Sequence, residues 1–188
     1  MSYDYHDEDE PPARSAHHYA LGVWLTCATI LVVPSLLVWF VRLWALAAGC
    51  APGPELCHGA TFGGGLRDTL NLAWFVGSNT FITFVISFIA AVASLICRKP
   101  LQAALTMLLF PILALLLPTL AVQSALYADC KPNEAGVGDC TLWGSQMGMS
   151  FHSAAMTTGP LYDLVPFNFA LALMVGVIGF IFFRRRAE

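Results

Sequence analysis

The sequence predicts an all-α integral membrane protein: a bundle of four transmembrane helices with two disulfide-stapled extracytoplasmic segments and a short interfacial helix. Three observations carry this expectation. First, 57% of the 188 residues are hydrophobic and only 11% are charged, against roughly 25% charged in a soluble domain. Second, the apolar runs Leu70–Cys97 and Leu101–Leu126 are joined only by Arg98-Lys99-Pro100. Each exceeds the ~20 residues a helix needs to cross a hydrocarbon core, so they should form an antiparallel hairpin. Third, four of the six cysteines fall in the two segments on the other side of that hairpin, where disulfides belong if the compartment is oxidising.

Residues 1–18 are expected to be an acidic, flexible cytoplasmic tail. Asp4, Asp7, Glu8, Asp9 and Glu10 cluster ahead of Pro11-Pro12 without apolar periodicity. A copper or nickel site at His6 is weighed against a solvated tail, and the solvated tail is preferred. The acidic start lacks the signature of a cleaved signal peptide, so the first apolar run is expected to be a retained span.

The transmembrane domain is expected over residues 19–183, with spans near 19–41, 70–97, 101–126 and 166–183. In the first, Trp24 lies near one end and Trp39 and Trp44 near the other, as interfacial aromatic belts require. Pro34 should kink or loosen the helix, and Arg42 should snorkel towards the interface. Gly63-Gly64-Gly65 reads as a flexible lead into the second span, because no strand precedes it and no Lys-Ser/Thr follows.

The second span carries Asn79, Thr83 and Ser87 every four residues, a polar face pointing at another helix or along a polar path. Packing is the preferred reading, since the span contains no Asp, Glu or Lys. In the third span Pro111 and Pro118 share one face and offer a bend or hinge. Residues 141–158 are expected to form the interfacial helix, with Trp143, Met147, Phe151 and Ala155 on one side. Gly159-Pro160 and Pro166 should break the chain before the last span. There Ala172, Gly176 and Gly179 provide the small-residue spacing that lets helices approach closely. Residues 184–188 form a basic cytoplasmic end.

Charge sets the orientation. Arg14, Arg98, Lys99, Arg184, Arg185 and Arg186 fall inside and Arg42, Arg67 and Lys131 outside, which places both termini in the cytoplasm. The absence of Asn-x-Ser/Thr and of eukaryotic targeting signals points to a bacterial inner membrane.

Local pairing, Cys50–Cys57 and Cys130–Cys140, is expected, because each pair brackets one turn-rich insert; a link between the two loops is the alternative. Cys27 and Cys97 read as small apolar residues. The best metal candidates are Met149, His152 and Met156, which can converge on one helical face and suit copper(I). Methionines also fill apolar faces, and the expectation is no metal and no cofactor.

No nucleophile–base arrangement, paired carboxylates within a span or His-Glu-x-x-His motif is present, so an enzyme is not expected. The lack of a basic stripe disfavours nucleic acid. The expected partners are the lipid bilayer and other membrane subunits, or a second copy. The expected function is that of a non-catalytic membrane subunit or interaction protein that packs into, or protects, a larger membrane complex. The alternative is a small oligomeric channel or transporter with its polar path along the second span.

Overall fold

The computed structural model describes residues 13–58, 62–126, 130, 140–156 and 158–185. Among these the fold is almost wholly helical: α1 (Ala13–Ala47), α2 (Phe62–Ser78), α3 (Thr80–Ile96), α4 (Pro100–Leu126), a hairpin of β1 (Thr141–Leu142) and β2 (Ser145–Gln146), α5 (Gly148–Ala155) and α6 (Thr158–Arg185). Three helices are long and apolar enough to cross a membrane, and a fourth crossing results if α2 and α3 count as one bent span. Most of the acidic tail, the insert 131–139 and the last three residues lie outside the described residues. Residues 13–18, expected to be flexible, belong to α1.

The hairpin predicted from Arg98-Lys99-Pro100 is formed by α3 and α4. Its turn is a left-handed helix cap. Arg98 has φ 57°, Arg98 N donates to Leu95 O at 2.9 Å and Lys99 N to Ser94 O at 3.0 Å. These two bonds satisfy carbonyls that the end of a helix otherwise leaves open, and Pro100 then starts α4. The C-terminus of α1 closes the same way: Gly49 has φ 77°, Gly49 N donates to Leu46 O and Cys50 N to Ala45 O, both at 3.0 Å.

Four further expectations are corrected. The second span is not one helix from Leu70 to Cys97. It starts at Phe62, so Arg67 and Asp68 lie within α2, and it is bent by 78° between Ser78 and Thr80. The glycine run is not a flexible lead but the first turn of α2. A Cβ on Gly63 would sit 2.8 Å from both Ser145 Cβ and Trp143 O, so glycine is what lets the hairpin lie on that turn. The last helix is longer than expected. It starts at Thr158, because Pro160 falls in a first turn that needs no donor from it, and continues through Pro166. Finally, the interfacial helix is shorter. Residues 141–146 form the hairpin, and only Gly148–Ala155 is helical.

Three buried clusters hold the fold. One joins Val38 and Ala45 of α1 and Leu66, Leu70 and Ala73 of α2 to Ala121 of α4, the two disulfides, Leu142, Trp143, Met147 and Phe151. The second joins Cys27 and Leu31 of α1 to Ala90 and Phe110, with Val76 packed against it. The third joins Ala91 of α3, Ala103 and Met107 of α4 and Ala172 of α6.

Trp24 of α1 contacts α4. Its ring packs on Phe110 with centroids 5.6 Å apart, and its Nε1 donates to Thr106 Oγ1 at 3.0 Å. The predicted small-residue face of α6 does meet its neighbours. A Cβ on Gly176 would lie 3.3 Å from Ala104 Cβ, and one on Gly179 would lie 2.9 Å from Pro100 Cβ and 3.0 Å from Leu95 Cδ2. Ala172 is buried in the same seam.

Candidate functional site: a helix break under a stapled cap

The cap is built from both disulfide segments. Cys50–Cys57 and Cys130–Cys140 pair locally, with Cα atoms 5.5 and 5.2 Å apart. The β-hairpin turns at Trp143-Gly144, with φ of 46° and 77°. Positive φ at both central residues matches the twist of paired strands. Trp143 is 1% exposed and is clamped by the first loop. Its N donates to Gly53 O at 2.7 Å and its Nε1 to Ala51 O at 3.0 Å. Gly144 N donates to Pro54 O at 3.2 Å. Met147 and Phe151, expected on one side of the interfacial helix, are buried beneath it together with Ala154, so α5 rests on the core through that side.

Below the cap, α2 descends between α1 and α4 and stops halfway. The space for Gly77 is closed by α4: a Cβ there would lie 2.6 Å from Ala114 O and 3.2 Å from its carbonyl carbon. Ala114 sits near the middle of α4, and Val76 packs on the cluster around Leu31 near the middle of α1. The break is therefore at mid-length of both long helices.

The polar residues of the second span mend this break. Asn79 caps α3, its Oδ1 accepting from Ile82 N at 3.1 Å. Thr83 Oγ1 donates to Val76 O at 2.9 Å, satisfying a carbonyl that the end of α2 cannot pair. Ser87 Oγ donates to Thr83 O at 2.8 Å and Ser94 Oγ to Ala90 O at 3.0 Å. Asn79, Thr83 and Ser87 thus do not form a continuous stripe. Thr83 and Ser87 are buried, whereas Ser78, Asn79 and Thr80 are all exposed. They are flanked by the exposed rings of Phe75 (66%) and Phe81 (76%).

The metal candidates lie on and just after α5. Met149 and Met156 are exposed, while His152 is half-buried and turns Nδ1 inward without a hydrogen-bond partner. Among the described residues, no three His, Cys, Asp or Glu side chains come together. Arg42 lies over the Trp39 ring, 4.8 Å from its centroid. Trp39 Nε1 donates to Leu117 O at 3.2 Å, one of the carbonyls near Pro118.

Sequence reasoning overlooked Asn168 of α6. It is fully buried, and neither Oδ1 nor Nδ2 has a hydrogen-bond partner. An amide so near the start of an apolar run was the signal that could have found it.

Comparison of the chain with protein-family models, with curated proteins and with solved structures finds no match.

Proposed function

We propose that the chain is a non-catalytic multi-pass membrane subunit that packs into a larger membrane complex through its broken second span. In this reading the helices cross a bacterial inner membrane four times, α2 and α3 together making one crossing. Both termini are cytoplasmic, and the stapled cap lies outside. The excess of Arg and Lys at Arg98-Lys99 and Arg184–Arg186 supports that orientation.

The observation that carries the reading is the exposure of Ser78-Asn79-Thr80 at mid-length of α1 and α4. A bilayer core offers no water to irregular backbone, and each unsatisfied group costs several kcal/mol. Such a break persists there only where protein covers it or where it lines a water-filled cavity. The hydroxyls of Thr83, Ser87 and Ser94 are already used within the chain, and residues 69–97 contain no Asp, Glu, Lys or Arg. Protein cover is therefore favoured over a conducting path. The covering surface belongs to another membrane subunit or to a second copy of this chain.

A channel remains the second reading, because transporters place the ends of broken helices at the bilayer midplane. Purification from the native membrane in mild detergent, with mass spectrometry of what co-migrates, separates the two. The expected result is a stoichiometric protein partner that Asn79→Leu, which also deletes the exposed cap, displaces. A lone homo-oligomer whose ion or solute flux in liposomes is abolished by Asn79→Leu, with assembly intact, would overturn the subunit reading.

A further inference from the structure

A groove of about 740 Å³ runs between α2 and α5 on the cap side of the break. On the cap side it is lined by Arg67 and Asn71 of α2, by Gln146, and by Met149, Ser150 and Ser153 of α5, one cation among neutral groups. Its lower wall carries Leu72 and Phe75, 47% and 66% exposed. From Arg67 to Phe75 the axis of α2 advances about 12 Å, from just below the hairpin towards the break. Along α2 the lining thus passes from the Arg67 guanidinium to the apolar side chains of Leu72 and Phe75.

We propose that this groove binds an anionic phospholipid of the outer leaflet, with the phosphate at Arg67 and the first part of an acyl chain over Leu72 and Phe75. The inference rests on the bilayer-spanning reading above, because only that reading puts the groove at the depth of the headgroups. Charge selects the headgroup: among the described residues the lining holds a guanidinium and no carboxylate, the Asp68 carboxylate beside it pointing outside that lining. Arg67 Nε donates to Asp68 Oδ1 at 3.2 Å. Both side chains are exposed, at 43% and 70%, so that pair holds the guanidinium only weakly. Four further N–H donors of a guanidinium remain for a phosphate. The apolar lower wall selects an amphiphile over a free anion, since a soluble phosphate would leave Leu72 and Phe75 uncovered.

The full-length chain is placed in nanodiscs of phosphatidylcholine alone or with phosphatidylglycerol, and its thermal midpoint is measured. The expected result is a midpoint several degrees higher with phosphatidylglycerol. That gain is lost in Arg67→Gln and kept in Arg98→Gln, which removes a charge at the opposite end. An equal midpoint in both lipids, or a gain that survives Arg67→Gln, would overturn the proposal. So would a gain reproduced by glycerophosphate added to phosphatidylcholine discs, which would make this a site for a free anion. A chain that enters discs but shows no lipid preference removes this inference alone. A chain that enters no disc removes the bilayer reading as well.

Discussion

Trp143→Ala should unseat the cap. The side chain is 1% exposed in a cluster that includes both disulfides, Leu142, Met147 and Phe151. Deleting a buried tryptophan typically costs ~3–5 kcal/mol, combining lost burial with the cavity left behind. Here the loss is compounded by a missing donor, because Nε1 serves Ala51 O. Trp143→Phe keeps most of the burial and loses that bond, so its cost should be nearer ~1 kcal/mol. The contrast is read by thermal unfolding in detergent and by protease cleavage in the segment around Cys50–Cys57. Trp143→Ala should open that segment to cleavage and Trp143→Phe should not. Equal behaviour of the two variants would mean that the tryptophan does not hold the hairpin to the first loop.

The second large effect is expected at the break itself. Gly77→Val places branched carbons where Ala114 O already lies 2.6 Å from the position of a Cβ. The obstacle is backbone, which cannot rotate away as a side chain could. Overpacking of this kind costs ~1–3 kcal/mol, and more where the backbone must move. In this fold the movement would carry the end of α2 off α4 and strain the bond from Thr83 Oγ1 to Val76 O. Gly77→Val should therefore lower the unfolding midpoint well below that of Gly65→Val. At Gly65, among the described residues, the one neighbour of such a Cβ is Val41 Cγ1, at 3.9 Å. Similar midpoints for the two variants would contradict the close approach of α2 and α4.

Much of this architecture is legible in the sequence because single residue types with single meanings encode it. Long apolar runs give the helices, Arg98-Lys99-Pro100 gives the hairpin, and cysteines that bracket short turn-rich inserts give their own pairing. The small residues Ala172, Gly176 and Gly179 announce a close seam, and α6 does press them on α4 and the end of α3. What was hidden is hidden for a physical reason. Asn79, Thr83 and Ser87 at four-residue spacing look the same whether they line one face of a straight helix or mend a broken one. An N-cap, a bond back to the previous helix and a bond to the carbonyl one turn earlier use the same residues at the same intervals. The hairpin at Trp143-Gly144 was equally masked. Its apolar residues recur every four positions into α5, which imitates a helix, and tryptophan rarely supplies the positive φ of such a turn. Pro166 misled in the opposite direction, since the neighbouring Pro160 and Gly159 made it look like part of a longer break.

The central claim is that protein covers Ser78-Asn79-Thr80 in the native membrane. It is tested most directly by placing a photoreactive benzophenone side chain at position 79, irradiating native membranes and resolving the adducts by mass. The expected result is one discrete protein adduct, to a partner subunit or to a second copy of the chain, absent when the same group is placed at position 98 in the α3–α4 turn. Adducts with lipid alone, or with water and no protein, would contradict the claim.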